Sequence, residues 1–465
     1  MNSPATRKTI LRELDVPPDV LRRLAASIPQ RYPVLFDSAA EGPLSQASIL
    51  VAEPRGSLWL DADDRVGMQG VSLKSSGFLS ALQEWWLAER VPQAGDGLPF
   101  TGGWAIFLGY EIAQEIEPRL RLPRSSLPWK AFAIRTPCAL IHERRSGRVF
   151  AVAEPEAVGF LDLLESDARR AAMQPAGSPH PIHVEAVVEE DPAAYLQRVL
   201  RAKEYVRAGD IYQANLSRPW SLELGGEPDI AALYNRLCEA NPAPFAALAQ
   251  WRGTTLLSSS PERLVRISNG RIDTRPIAGT RPRSRRPGGD LAEMMELAAH
   301  PKERAEHIML IDLERNDLGR VSEAGTVHVD ELMSIESYAH VHHIVSNVSG
   351  KLRADVTPID ALRAVFPGGT ITGVPKFRCM QIIAELEGTG RGAYTGSLGF
   401  LGRDGTMDMN ILIRTLTVTG RRVELRAGGG IVADSDPQRE LEETRAKARG
   451  MLAAFEPSPS AGAVA

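Results

Sequence analysis

The stretch GGGIVADSDPQRELEETRAKA, residues 428–448, connects a run of three glycines to the last long helical pattern of the chain. Ser435 or Asp436 can cap that helix, because a short polar side chain accepts a free backbone N–H at a helix start. Pro437 suits the first helical turn, where its missing N–H costs no hydrogen bond. We therefore predict a strand, a glycine-rich turn, a second strand and then a helix.

Three charged residues of that helix are spaced so that they share one face. Glu440, Glu443 and Lys447 stand three and then four residues apart, which makes them neighbours on a helix surface. Such a face can be a solvated surface with an ordinary Glu–Lys pair. It can also act together with the bare amides of Gly428–Gly430, which an anion can approach closely. The sequence leaves both interpretations open.

Glu306 lies in a second helical pattern, 291–321, which contains a candidate break near Pro301. Carboxylates from separate elements are the hard oxygen ligands that Mg²⁺ prefers, and such a site leaves positions for water and substrate. A surface residue on an amphipathic helix has the same sequence signature. Taken alone, Glu306 is therefore interpreted more simply as a surface residue.

The segment YAHVHHIVSNVSG contains three clustered histidines, His340, His342 and His343. On a strand the first two share one face and His343 points to the other. The spacing lacks the paired acid or cysteine of a zinc site. His343 can be a single acid or base near pH 7, or a buried histidine with satisfied hydrogen bonds.

Apolar periodicity and turn residues along the chain predict an α+β protein. Residues 77–91 and 191–209 have helical spacing, and Asp191 is a candidate N-cap. Residues 254–283 read as strands with a hairpin at Asn269-Gly270. The predicted organisation is an N-terminal α+β region (1–172), a Pro/Gly/Ser-rich linker (173–185), a second region (186–456) and a disordered tail (457–465).

The composition narrows the functional class. A formal net charge of −4 over 465 residues argues against a nucleic-acid or membrane-surface binder. Three distant cysteines without a CxxC pair suggest neither a disulfide framework nor zinc, which fits the cytoplasm. There is no signal-peptide pattern, no membrane-length apolar run and no phosphate-binding glycine motif. No cysteine lies in a nucleophile-elbow context, so the chain is not expected to hydrolyse glutamine by itself.

Seven motifs follow one another along the second region. They are SSSPERLV (258–265), PIAGTRPR (276–283), ERAEHIMLIDLERNDLGRV (303–321), HHIVSNVSGKL (342–352), FPGGTITGVPK (366–376), MDMNILIRTL (407–416) and GGGIVADSDPQRELEETRAKA (428–448). Together they resemble the chorismate-utilising enzymes, which include anthranilate synthase component I, aminodeoxychorismate synthase component I, and the isochorismate and salicylate synthases. The resemblance implies an anthranilate synthase component I-like fold, with large antiparallel sheets packed together, peripheral helices and interlocking sequence halves.

The resemblance also implies roles for individual residues. The expected catalytic positions are Glu262, an acid near the reacting centre, and His343 beside the ring, together with Thr280 and Ala278. A dianionic substrate needs a cation, an arginine and exposed amides. The implied Mg²⁺ carboxylates are Glu306, Glu440 and Glu443, and the implied substrate-binding residues are Gln213, Thr370, Tyr394, Arg414, Gly428, Gly429 and Lys447.

Three features bear on which family member the chain resembles. Gln213 stands where the water-adding members carry a lysine base; an amide cannot deprotonate water, so ammonia is the expected nucleophile. Residues 35–54 and 100–117 resemble the first domain of aminodeoxychorismate synthase, and we do not find the Leu-Leu-Glu-Ser element of the anthranilate enzymes. Ala278 points the other way, because many aminodeoxychorismate synthases carry a nucleophilic lysine there and alanine is the anthranilate-type residue.

On balance the sequence predicts Mg²⁺-dependent amination of chorismate by ammonia to 4-amino-4-deoxychorismate, for 4-aminobenzoate and folate synthesis. A separate glutamine amidotransferase subunit is the expected source of ammonia. The alternatives are anthranilate synthase component I and a non-catalytic chorismate- or amino-acid-binding module. Whether the N-terminal region holds tryptophan is left open, although Ser38 lies in a stretch that resembles the relevant pocket.

Overall fold

Two large antiparallel sheets form the centre of the fold, and strands from before residue 172 and after residue 186 take part in both. The structure is a computed structural model. It describes residues 9–40, 42, 44–92, 97–174, 182–283, 289–338 and 341–456. The predicted tail (457–465), most of the predicted linker and His340 lie outside the described residues.

The helices pack on the outer faces of the sheets. In chain order they are α1 (Val20–Ser27), α2 (Phe78–Glu89), α3 (Ala113–Ile116), α4 (Leu161–Met173), α5 (Pro192–Arg207), α6 (Ile230–Ala240), α7 (Gly289–Ala299), α8 (Pro301–Gly319), α9 (Pro358–Val365), α10 (Lys376–Glu387) and α11 (Pro437–Leu452).

The strands are short to medium in length and pair throughout in the antiparallel sense. In chain order they are β1 (Ile10–Leu14), β2 (Val34–Asp37), β3 (Ala47–Ala52), β4 (Gly56–Asp61), β5 (Val66–Gln69), β6 (Gly103–Leu108), β7 (Trp129–Thr136), β8 (Cys138–Glu143), β9 (Arg148–Ala153), β10 (Val184–Glu189), β11 (Gln213–Leu224), β12 (Phe245–Trp251), β13 (Thr254–Ser260), β14 (Arg263–Ser268), β15 (Arg271–Arg275), β16 (Ile277–Pro282), β17 (His328–Ser337), β18 (Val341–Lys351), β19 (Gly373–Val374), β20 (Ser397–Gly402), β21 (Met407–Asn410), β22 (Thr415–Thr419) and β23 (Arg422–Ile431).

The first sheet has the order β1-β9-β8-β3-β2-β12-β13-β22-β23-β11-β10, and β19 also pairs with β11. The second has the order β16-β18-β15-β14-β21-β20-β6-β7-β4-β5, and β17 also pairs with β18. These sheets and their peripheral helices confirm the predicted fold class. The short Pro261-Glu262 segment leads the chain from the first sheet into the second.

Three apolar layers lie between the sheets and on their outer faces, and a fourth cluster packs α5, α10 and α11 against β11. Phe107, Phe132 and Leu256 belong to the layer between the two sheets. The other face of the first sheet packs against α1, α4 and α6, and that of the second packs against α2, α8 and α9. Burying a side chain such as leucine or phenylalanine contributes about 1.5–3 kcal/mol, so these layers stabilise the sandwich on which the site is built.

Local sequence signals explain the boundaries of several elements. Asp191 caps α5 by accepting the Ala193 N–H at 3.0 Å, and Asp436 caps α11 by accepting the Arg439 N–H at 2.9 Å. The predicted hairpin at Asn269-Gly270 joins β14 to β15. The helical pattern at 291–321 is broken next to Pro301, as predicted, into α7 and α8.

No helix within the described ranges combines the length and apolar character needed to cross a membrane.

Candidate active site

The glycine run forms part of a strand, which corrects the predicted turn. Gly428, Gly429 and Gly430 continue β23 and pair with β11, with Gly430 opposite Asn215. A β-carbon on Gly428 would lie 2.6 Å from the Tyr394 hydroxyl, and one on Gly430 would lie 2.4 Å from Gln213 Nε2. Glycine is needed at these positions because it lets the Tyr394 and Gln213 side chains approach the strand backbone closely.

One face of α11 lies against this glycine run. Lys447 Nζ donates to the Gly428 carbonyl at 2.8 Å and pairs with Glu443 Oε1 at 2.7 Å. The carboxylates of Glu440 and Glu443 lie 3.2 and 3.5 Å from where a β-carbon on Gly429 would stand. The Glu443 and Lys447 side chains keep 52% and 42% of their exposure. The charged face therefore contacts the strand and is still open to solvent.

The three expected metal carboxylates are not preassembled. Within the described parts of the chain, no group of three or more acidic, histidine or cysteine side chains comes together in a way that could hold an ion. Glu440 and Glu443 share one glycine, and Glu306 lies on α8, where it is partly buried. Two adjacent carboxylates are a suitable part of an Mg²⁺ ligand set, because hard cations take one or two such groups and keep several waters.

The loop 366–376 connects the glycine strand to the rest of the site. Thr372 accepts the Asn215 N–H at 2.8 Å through its carbonyl oxygen. Gly369 donates its N–H to Glu314 Oε1 on α8 at 3.2 Å. Thr370 stands between these two attachments, so its position depends on both β11 and α8.

Glu262 is the buried acid of the site, only 4% exposed, between β13 and β14. It accepts the Ile277 N–H at 3.4 Å. Burial raises the pKa of its carboxyl to about 7; the neighbouring Thr370 hydroxyl and the Ile277 N–H oppose this rise, and the Glu314 carboxylate adds to it. A carboxyl that titrates near neutral pH can serve as a general acid.

Arg414 is a partly buried cation beside Glu262. Burial lowers the pKa of its guanidinium, and the nearby Glu262 carboxylate opposes that change. Among the described residues, the structure places no hydrogen bond or ion pair on this guanidinium. Its backbone has a φ of 51°, which is uncommon for a non-glycine residue and often marks a functional position. The group is placed to receive an anion.

His343 is neutral at physiological pH. Burial lowers the pKa of its imidazole to about 3, Arg414 adds to this effect, and a hydrogen bond with the Gly279 backbone opposes it. Of the two interpretations that the sequence left open, this burial favours a buried histidine over an acid or base that titrates near pH 7, and a catalytic role for His343 stays a prediction. His342 has a structural environment, since its ring contacts Asp290 at 2.9 Å and Ser337 at 2.7 Å.

Ala278 and Thr280 lie on β16 at the edge of the second sheet. Ala278 is 9% exposed and pairs with Ile344, while Thr280 pairs with His343 through its backbone. The Thr280 side chain lies outside the described atoms. Among the lysines whose side chains the structure describes, a group that leaves Lys302 out, each one has another environment. Lys74 is exposed, and the partners of the rest are Asp64 (Lys130), the Ser435 carbonyl (Lys203), Glu323 (Lys351), Asp317 (Lys376) and Glu443 (Lys447).

The sequence interpretation missed Asn215 and Glu314. Glu314 is 4% exposed, binds the Gly369 N–H and raises the pKa of Glu262. Glu314 could have been found from its spacing of three residues from Asp317, which places two acids on one face of a helix. Asn215 could have been found from the alternation of polar residues along β11, in which Gln213, Asn215 and Ser217 share one face.

A separate cavity of about 410 Å³ lies in the part of the fold that contains Ser38. Asp37, Ser38, Phe245 and Asp408 belong to its wall. None of the residues described above for the candidate active site lines it. Ser38, which lies in the stretch that resembles the relevant pocket, thus lines a cavity, and tryptophan binding there stays open.

The two packed antiparallel sheets and their peripheral helices agree with the class of enzyme that the sequence motifs resemble. The chain belongs to the chorismate-binding enzyme family, whose model matches residues 32–453.

Relatives with similar sequences carry one type of name. An "anthranilate synthase component I-like protein" of Synechocystis is 42% identical over 80% of this chain and 75% of its own length. Anthranilate synthase component 1 of Thermus thermophilus is 39% identical over 97% of both chains. The structure of anthranilate synthase component I from Streptococcus pneumoniae covers 88% of this chain and 93% of its own, at 30% identity and a TM-score of 0.77.

A menaquinone-specific isochorismate synthase of Escherichia coli shares the fold at 18% identity and a TM-score of 0.70. The relatives thus favour the anthranilate alternative over aminodeoxychorismate synthase.

Proposed function

We propose that this chain is an anthranilate synthase component I, which converts chorismate and ammonia to anthranilate, pyruvate and water. The observation that most directly supports this proposal is the alanine at position 278. A relative named anthranilate synthase component 1, which aligns over 97% of both chains, adds to it. Without an amine there, no covalent relay can direct ammonia to C4 of the ring, so ammonia adds directly at C2.

The two carboxylates of chorismate call for two cationic or amide-rich ends. Arg414 supplies a partly buried guanidinium for one of them, and the Tyr394 hydroxyl, which lies against Gly428, is the proposed second donor. The exposed strand backbone at Gly428–Gly429 and Lys447 serve the ring carboxylate. Charge-assisted hydrogen bonds of this type are about twice as strong as neutral ones, so they fix the ring for attack.

Glu262 acts as the general acid. The ammonia nitrogen forms a bond to C2, the two ring double bonds shift, and the C4–O bond breaks while Glu262 gives its proton to the departing hydroxyl. The added nitrogen gives up one proton to water. Loss of the C2 proton to water then aromatises the ring and breaks the C3–O bond, and the departing enolpyruvate takes up a proton to become pyruvate. Burial holds the pKa of Glu262 at about 7, so a substantial fraction carries the proton needed for the first step.

Mg²⁺ is the proposed metal, held by Glu440 and Glu443 with Glu306 as a further ligand. When bound, it supplies positive charge to the ring carboxylate and to the developing charge of the reaction. The Lys447 ammonium, which contacts Glu443 at 2.7 Å, already offsets part of the repulsion between the acids.

A separate amidotransferase is the proposed source of ammonia. Cys138, Cys238 and Cys379 are all buried, and burial raises the pKa of each thiol to about 12. Such thiols are not the reactive thiolates that glutamine hydrolysis requires. The name component 1, carried by the relatives, also fits a two-subunit enzyme.

The second candidate is amination at C4 to 4-amino-4-deoxychorismate. It is favoured by the resemblance of residues 35–54 and 100–117 to that enzyme's first domain. It leaves the enolpyruvyl group on the ring and releases no pyruvate, so the two products differ in a measurable way.

Product identity tests the proposal. Purified chain with chorismate, Mg²⁺ and ammonium chloride should form fluorescent anthranilate and an equal amount of pyruvate, and glutamine in place of ammonium should give neither. A 4-amino-4-deoxychorismate product without pyruvate would select the second candidate, and chorismate turnover independent of ammonium would reject both. The Glu262→Gln chain is the matched control, because a neutral amide of similar size cannot donate the proton.

A further inference from the structure

Two amide side chains on one face of β11 have oxygens without a partner. Gln213 Oε1 and Asn215 Oδ1 are buried atoms that find no hydrogen-bond donor among the described residues. The two residues are 6% and 9% exposed. A buried polar atom without a partner costs about 1–3 kcal/mol, so two such atoms side by side suggest a site built for a donor-rich ligand.

The geometry brings the two amides together over one glycine. They are two residues apart on a strand and so share a face. Gly430 is the cross-strand partner of Asn215, and Gln213 Nε2 lies 2.4 Å from where a β-carbon on Gly430 would stand. Gln213 therefore turns toward Asn215, and a side chain at position 430 would fill the space between them.

The next polar residue on the same face behaves differently. Ser217 Oγ donates to Glu387 at 3.0 Å and accepts from Arg426 at 3.2 Å. Ala214 and Leu216, on the other face, are buried in an apolar cluster. The missing donors are thus confined to the end of β11 next to the glycine run and the candidate active site.

We propose that Gln213 and Asn215 form the binding site for the ammonia that attacks the ring. Ammonia offers three N–H groups, which two amide oxygens can accept while its lone pair stays free. Neutral amides are also the right acceptors chemically: a carboxylate would favour ammonium, which has no lone pair to react. This inference rests on the proposed use of ammonia as nucleophile, and it assigns Asn215 a role that no sequence motif gave it.

The test measures how the rate depends on ammonium, with chorismate and Mg²⁺ saturating and the pH fixed. Chorismate consumption is the readout, since it does not depend on which amino product forms. Asn215→Leu and Gln213→Leu should each raise the KM for ammonium about five- to tenfold, the effect of one lost hydrogen bond. The KM for chorismate should stay within about twofold. Ser221→Ala, on the same face but at the far end of β11, should change neither value.

Two further variants keep the test decisive if a leucine chain folds poorly. Asn215→Ala leaves space without an acceptor and should raise the ammonium KM, while Asn215→Ser retains an acceptor and should recover part of the affinity. An unchanged ammonium KM in all Asn215 variants, or a parallel rise in both KM values, overturns the ammonia site. The proposed function fails separately, if the unmodified chain forms no anthranilate.

Discussion

The titratable side chains at the two ends of the candidate site differ in their exposure to solvent. At the α11 end, Glu443 and Lys447 are about half exposed and their charges are solvated. At the other end, Glu262 and His343 are buried, and their pKa values move to about 7 and about 3. The open end is therefore suited to bind ions from solution. At the buried end, the protein environment sets the protonation states of Glu262 and His343 before substrate binds.

The largest expected effect is at the buried end. Glu262→Gln should lower kcat about 100- to 10,000-fold, because general acid catalysis contributes that much. The KM for chorismate should change little. Steady-state kinetics with ammonium measures both values. If kcat fell less than tenfold, Glu262 would not be the proton donor and the difference between the two ends would lose its main support.

The pH dependence should follow the same group. Glu262 donates its proton only when protonated, and its pKa of about 7 places the loss of activity above neutral pH. With ammonia itself kept saturating, kcat should fall about 100-fold between pH 6 and pH 9. Glu314 and Arg414 both face this carboxyl, with opposite effects on its pKa. Glu314→Gln should move the midpoint to lower pH, and a midpoint that stays in place would contradict the coupling.

Arg414→Met tests whether the Arg414 guanidinium binds a substrate carboxylate. Loss of a charge-assisted hydrogen bond to a substrate carboxylate should lower kcat/KM for chorismate about ten- to 100-fold. Because Arg414 also opposes the rise in the pKa of Glu262, the pH midpoint should rise in the same variant. A loss in kcat/KM with no change in midpoint would separate binding from proton control.

Glu443→Gln tests the open end. The Mg²⁺ concentration that gives half-maximal activity should rise about tenfold or more, which is the scale of disrupted metal sites. Excess Mg²⁺ should restore most of the activity. Glu442→Gln, an exposed neighbour on the same helix, is the matched control and should leave the Mg²⁺ requirement unchanged.

The smallest expected effect concerns stability. Lys447→Met removes an exposed i,i+4 pair, which contributes about 0.3–0.5 kcal/mol to the free energy of unfolding. Arg391→Met breaks a buried pair with Glu387 and should cost about 3–5 kcal/mol. Urea unfolding of both variants compares an exposed ion pair with an enclosed one. Equal losses would contradict the claim that the Lys447–Glu443 pair at the α11 end is solvated.

The sequence predicted what depends on local patterns. Helix α11, its Asp436 cap and the common face of Glu440, Glu443 and Lys447 follow from spacing and capping chemistry, and the structure has all of them. The glycine run was wrongly predicted as a turn, because three glycines also allow a strand that polar side chains approach closely. Which side chains do so depends on the pairing of β11 with β23, a contact between residues about 200 positions apart.

Protonation could not be predicted from residue types. Nothing in the letters SSSPER shows that Glu262 is almost wholly enclosed, and enclosure is what shifts its pKa. His343 shows the same limit in reverse: its type suggested titration near pH 7, and its burial makes it neutral. We propose that the choice between the two amination products likewise depends on the space beside Ala278, which the sequence does not describe.

The arrangement of early and late strands has a consequence for biosynthesis. Strand β2 can pair with its second neighbour only after β12 has been synthesised. Strand β6 can pair with β20 only after nearly 300 further residues have been added. Until then these apolar strands have open edges, which attract other chains. Such distant pairing slows folding and favours populated intermediates. We therefore expect this polypeptide to depend on chaperones as it leaves the ribosome, and fragments divided near residue 180 to aggregate when produced alone.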